Sequence, residues 1–98
     1  MSAYNEDMAK FRRLEILELL SDAPESSLHE LILKTELNKK KHGVNTDSLR
    51  ADMQYLHEQG LAHLQVLDGI YLSTLTLKGD DVRQNLASHH GVAKPRLK

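Results

Sequence analysis

Apolar positions along the chain follow two different periods, and the switch between them is sharpest from Val44 to Gly79. Leu49, Met53 and Leu56 fall four and three positions apart, which places them on one face of a helix. Asn45 and Thr46 are both suitable N-caps, Asp47 lies in a first turn where the helix dipole favours an acid, and Gly60 is a natural left-handed stop. Beyond it, Leu61 to Leu67 and Ile70 to Leu75 are short apolar-rich runs separated by Asp68-Gly69, a strong signal for a hairpin closed by a type I′ turn. Such a turn sets the register, with Leu67 opposite Ile70 and Val66 opposite Tyr71.

Upstream, residues 1–5 are a polar lead. Asn5 can cap a helix with Glu6 and Asp7 in its first turn, and Met8, Phe11, Leu14, Ile16, Leu17 and Leu20 give it a broad apolar stripe. The run Ser21-Asp22-Ala23-Pro24 ends it, because proline disfavours helix at the preceding residue. A second helix is expected to open on Ser27-Leu28-His29-Glu30, where serine and glutamate have capping-box spacing. Leu28, Leu31, Ile32 and Thr35 would line one face, flanked by Leu33 and Leu37, and the helix would end near Leu37 or Asn38. Asn38 to Gly43 reads NKKKHG, a polar and basic connector. After the hairpin, Lys78-Gly79-Asp80-Asp81-Val82 leads into a short fourth helix carrying Val82 and Leu86, its two acids near the positive end of the dipole. The last residues, SHHGVAKPRLK, show no helical period.

These elements predict an α+β chain, mainly α, with three helices, a two-stranded hairpin and a fourth short helix. A short third strand fits between the first two helices. Residues 1–87 are expected to form the domain and 88–98 a basic C-terminal tail, whose residues 92–98 are expected to be mobile in the isolated monomer and to become ordered only against a neighbouring subunit, a partner or a nucleic-acid backbone. The outline is that of a winged helix-turn-helix. NTDSLRADMQYLHEQGL resembles the recognition-helix segment of DeoR-type repressors, in which a capped turn leads into hydrophobic-Arg-x-Asp-hydrophobic-x-x-Leu and ends at Gly-Leu. TLTLKGDDV resembles the Leu-Thr-x-x-Gly junction between wing and following helix in MarR- and PadR-like regulators. The length, hairpin, junction and Lys-Pro tail together resemble small winged-helix proteins encoded by Mu-like phages. The resemblance implies a DNA-binding transcriptional regulator, and a homodimer, because helix-turn-helix readers usually engage paired half-sites. Two departures stand out: the connector is longer than a plain helix-turn-helix turn, and Ala51 occupies the place where DeoR-type sequences commonly have a second arginine.

Composition bounds the class. Ninety-eight residues with 40% apolar and 28% charged content describe one small globular domain. With no cysteine, disulfides and thiolate metal sites are excluded. No apolar run approaches the roughly 20 residues that span a bilayer, and the N-terminus lacks the apolar core of a signal peptide, so no membrane partner is expected and the expected location is the cytoplasm, the host's if the protein is phage-encoded. Thirteen Lys and Arg against fourteen Asp and Glu leave a net charge of −1, so any binding of double-stranded DNA requires local clustering of the cations.

The candidate contacts follow from that requirement. Opposite the Leu49-Met53-Leu56 face, Thr46, Ser48, Arg50 and Gln54 carry groups that read base edges or phosphates, with Arg suited to guanine and Gln to adenine. Lys39, Lys40 and Lys41 form the densest basic run and would hold the phosphate backbone. Lys10, Arg12 and Arg13 read as the solvent face of the first helix. The hairpin tip, Leu67-Asp68-Gly69-Ile70, is acidic and lacks Lys and Arg, which suits a structural hairpin better than a groove probe. Adjacent His89 and His90 diverge on regular backbone, and no other His or carboxylate pair supplies a metal site. With no phosphate loop, nucleophile elbow or HExxH, neither an enzyme nor a cofactor is expected. The near-neutral charge, the acidic tip and Ala51 motivate the alternative: a non-enzymatic protein-protein interaction module, such as an adaptor in a phage assembly or packaging complex.

Overall fold

The computed structural model describes residues 3–95, with side chains from Asn5 to Pro95. Helix α1 spans Ala3–Asp22, and a 3-10 turn at Pro24–Ser26 leads into strand β1, Ser27–His29. Helices α2, Glu30–Lys39, and α3, Thr46–Glu58, follow; strands β2, Ala62–Leu67, and β3, Ile70–Leu75, form the hairpin; and α4 spans Leu77–Arg83. The described chain is therefore α+β and mainly helical, with four helices and a three-stranded antiparallel sheet ordered β1-β3-β2.

The hairpin forms as its turn chemistry dictates. Asp68 and Gly69 have φ of 50° and 77°, the paired positive values of a type I′ turn, and Leu67 pairs with Ile70 and Val66 with Tyr71. At the start of α3 the cap is Asn45 rather than Thr46. Its side chain accepts from the Ser48 N–H at 2.8 Å while Ser48 Oγ accepts from the Asn45 N–H at 3.1 Å, a reciprocal capping box. Gly60 turns the chain at φ 76°, and Leu49, Met53 and Leu56 are fully buried. With Leu14, Ile16, Leu17 and Leu20 of α1 and Leu33 and Leu37 of α2 they make one core, capped by the inner face of the sheet.

Several local expectations are corrected, the first of them by long-range pairing. Ser27 does not cap α2: residues 27–29 pair with Thr74, Ser73 and Leu72 of β3, and Ser27 Oγ meets Thr74 Oγ1 at 2.6 Å. The helix therefore begins at Glu30 without a side-chain cap, and its buried line is Glu30, Leu33 and Leu37; Leu31, Ile32 and Thr35, expected inside, are exposed. Phe11, placed on the apolar stripe of α1, is also exposed. The fourth helix starts before Gly79 rather than after it. Thr76 caps it by accepting from the Gly79 N–H, and a Cβ on Gly79 would lie 1.9 Å from the Leu61 carbonyl oxygen. Gly79 is thus a close-packing position between α4 and the turn after α3.

The segment after α4 differs from expectation as well. It has no helix, but it is fastened to the domain's own surface: Val92 is 5% exposed, the Ala93 N–H donates to the Lys10 carbonyl at 3.1 Å, and Gly91 is buried against Tyr55. Gly91 to Ala93 thus pack against α1 and α3. The last three residues of the predicted tail, the cations Arg96 and Lys98 and the apolar Leu97 between them, lie outside the described residues.

Candidate functional site

Helix α3 is held from two sides by buried carboxylates. Toward the hairpin, Glu30 accepts from Arg50 Nε at 2.7 Å and Nη2 at 2.8 Å, a bidentate fork, and from the Tyr71 N–H at 2.7 Å. The same Arg50 Nη2 donates to the Gly69 carbonyl at 2.9 Å, and the guanidinium lies 4.4 Å from the centre of the Tyr71 ring. Hydrogen bonding from Arg50, aided by the Tyr71 N–H, outweighs burial and holds the Glu30 carboxyl below its ordinary range; Glu30 in turn raises the Arg50 guanidinium above its own. The hairpin tip is thereby tied to the middle of α3.

Toward α1, Asp52 is 3% exposed at its side chain and is shared by two arginines. Arg12 bonds it through Nε and, at 3.3 Å, Nη2; Arg13 bonds it through Nε at 3.2 Å. Arg13 also donates from Nη1 to the Gly91 carbonyl at 3.0 Å and stacks 4.0 Å from the centre of the Tyr55 ring. His89 completes this junction. Its Nδ1 accepts from the Gly91 N–H at 3.0 Å, so the other ring nitrogen carries the proton and donates to Gln59 Oε1 at 2.9 Å. Burial, followed by the neighbouring His90, pushes the His89 imidazole below its ordinary pKa, consistent with this neutral tautomer.

The solvent stripe left to α3 consists of Asp47, Ala51, Gln54, His57 and Glu58, without a lysine or arginine. Of the sequence-predicted contacts, Gln54 lies on this stripe, Ser48 is occupied in the capping box, and Thr46 Oγ1 accepts from Lys34 Nζ at 3.3 Å. Arg50 lies on the hairpin side with its fork engaged by Glu30 and Gly69. Lys39, Lys40 and Lys41 are exposed together at the end of α2, with Lys39 3.1 Å from Glu36 and Lys40 3.8 Å from Glu15. Glu30, expected to cap α2, instead pairs with Arg50, and Arg12 and Arg13, expected on the solvent face of α1, instead share Asp52; Asp52 and Tyr55 had no expected role. A signal existed for Asp52: 49, 52, 53 and 56 follow the i, i+3, i+4, i+7 template of a core face, so an acid at 52 requires a cationic partner.

Beside this junction a groove of about 680 Å³ runs between the first half of α1, the outer side of α3 and the turn at His90-Gly91. Apolar side chains of Met8, Ala9, Ala51 and Tyr55 line it together with the cations Lys10, Arg12 and Arg13. A shallower hollow bordered by Arg13, Gln54, Tyr55 and Glu58 continues along α3. Among the described residues, no group of three or more His, Asp or Glu is placed to hold a metal ion, and no helix is long and apolar enough to cross a membrane.

A small mainly helical domain with a three-stranded sheet and a cation-lined groove is thus the class of protein that fold and surface define. Uncharacterized protein gp26 of Escherichia phage Mu is 37% identical to the chain over 92 residues, covering 94% of this chain and 95% of the Mu protein. The chain belongs to this family of phage proteins. No protein-family model and no solved structure matches it.

Proposed function

We propose that the protein is a non-enzymatic adaptor, a protein-binding module on a winged-helix scaffold, working within a phage's assembly or packaging machinery. The element order α1-β1-α2-α3-β2-β3-α4 follows that of a winged helix, with β2 and β3 as the wing. One observation carries the adaptor reading over a DNA-reading one: Arg50, the cation that α3 would offer to a base edge, is engaged by Glu30 and Gly69, and the stripe facing solvent is neutral to acidic. A duplex presents a dense array of phosphates, which such a stripe repels. Kinship with a phage protein favours a role in the phage life cycle.

The second reading remains a DNA-binding regulator gripping phosphates through Lys39, Lys40 and Lys41, and the joint exposure of these lysines favours it. A salt titration against random duplex DNA separates the two. The adaptor should show no binding even at low salt, whereas micromolar binding that weakens steeply as salt rises would overturn it. A photo-crosslinking residue in place of Gln54, irradiated in phage-producing cells, should form adducts with protein; adducts with nucleic acid would count against the adaptor.

A further inference from the structure

The Arg12-Asp52-Arg13 cluster is unbalanced. Among the described residues, Asp52 is the carboxylate within ion-pair distance of either arginine, so two guanidiniums share one negative charge. Their side chains are only 18% and 20% exposed, which leaves a net positive charge with little water to stabilise it. Arg12, Arg13 and Lys10 all border the groove, alongside the apolar surfaces of Met8, Ala9, Ala51 and Tyr55. Its volume falls within the range of ligand clefts.

We propose that this α1/α3 groove takes a segment of a partner protein bearing a carboxylate side chain flanked by apolar residues, the incoming carboxylate completing the two-arginine cluster. The proposal rests on the adaptor reading and deepens it by giving the partner's chemistry. A carboxylate matches the planar fork of a guanidinium, and apolar neighbours cover the alanine, methionine and tyrosine surfaces. A nucleic-acid backbone fits poorly. The arginines are recessed, so a stiff chain of phosphates cannot reach them as a carboxylate on a flexible stem can. Glu6 and Asp52 also line the groove and Glu58 the hollow beyond it, which opposes a polyanion along its length more than a single charge at the arginines.

The test uses the intact chain, isotopically labelled, and a short capped peptide alternating leucine with glutamate. Its glutamine counterpart and a random-sequence duplex are the comparison probes. The glutamate peptide should give saturable NMR shifts at the Ala51 and Tyr55 amides and at the Arg12 and Arg13 Nε–H groups. The glutamine peptide should bind at least about tenfold more weakly, a difference of about 1.4 kcal/mol. Replacing Arg12 would strip Asp52 of a partner and endanger the fold, so the blocking variant is Ala51→Trp, at an exposed position, which should abolish the shifts while leaving the rest of the spectrum native. Absence of saturable shifts up to about millimolar peptide, equal binding of the glutamate and glutamine peptides, or shifts confined to other surfaces would each overturn the groove's assignment and leave the adaptor reading standing. Shifts at these same groups produced by the duplex would overturn both.

Discussion

Replacing Glu30 by glutamine tests whether the Glu30-Arg50 fork fixes the hairpin to α3. Glutamine keeps the length and shape of the side chain but turns one acceptor oxygen into an NH2 group. The wild-type carboxylate, 5% exposed, accepts three short bonds, two from Arg50 and one from the Tyr71 N–H. In Glu30→Gln at least one of these becomes donor against donor. Hydrogen bonds to a charged group contribute about 1.5–3 kcal/mol each, so the substitution should destabilise the fold by about 2–3 kcal/mol at neutral pH. The half-open position of Arg50 lets water take over part of its solvation, which keeps the cost below that of breaking a fully enclosed ion pair. Urea denaturation should show this as a lower midpoint at an unchanged slope. The pH dependence supplies the sign. Because Arg50 depresses the folded pKa of Glu30, the stability due to its charge is fully present above the unfolded carboxylate's pKa, about 4.3, and is lost as pH falls through the lower folded value. The gap between wild type and Glu30→Gln should therefore stay constant from neutral pH to about pH 5 and narrow below about pH 4. Amide exchange at Tyr71 should accelerate in the variant at neutral pH. A variant within about half a kcal/mol of wild type, or a gap that does not narrow in acid, would refute the reasoning.

Other expected outcomes follow from the same packing. Leu56→Ala should cost about 2–5 kcal/mol by thermal or urea unfolding, as for a leucine lost from a closed core, whereas Gln54→Ala on the solvent stripe should stay within about half a kcal/mol; equal losses would mean that α3 faces the other way. In Gly91→Ala the new Cβ would fall 2.0 Å from the Tyr55 hydroxyl, so residues 89–95 should detach and lose amide protection while the α3 core remains protected; retained protection at Val92 and Ala93 would count against that contact. Acidification should release the same segment, because burial lowers the folded pKa of His89: its contribution is full above the unfolded value of about 6.5 and is lost as pH falls through the folded one. NMR signals of Val92 that stay native throughout that descent would argue against His89 as a fastener.

How much of this is legible in the sequence depends on whether the controlling interaction is local. The hairpin is legible because Asp68-Gly69 can adopt two consecutive positive φ values cheaply, and that choice alone fixes Leu67 opposite Ile70. The core face of α3 is legible for a similar reason, its leucines and methionine repeating within a few turns. The start of α2 is not. Ser27 and Glu30 have capping-box spacing, but β3 passes alongside and takes residues 27–29 as a strand, and that partner lies more than forty residues away. Once Glu30 is freed from capping, its carboxylate turns to Arg50 and Tyr71, and the rotation of α2 that follows brings Leu33 and Leu37 inward and leaves Leu31 and Ile32 outside.

The electrostatics show the same division more sharply. A net charge of −1 counts Arg12, Arg13, Arg50, Glu30 and Asp52 as surface groups that cancel on average. In the fold these five pair with one another, two buried carboxylates against three partly buried guanidiniums, and the pairing decides what the outside of α3 displays. Composition is blind to this, since it cannot tell a cation that neutralises a buried acid from one that faces a partner. Periodicity can. An acid at position 52 on the line of Leu49, Met53 and Leu56, and another at 30 on the line of Leu33 and Leu37, are charges at core positions, and each must find an opposite charge from another element. Once those demands are met, the guanidinium left in excess lies beside the groove of α1 and α3 and not at the hairpin tip.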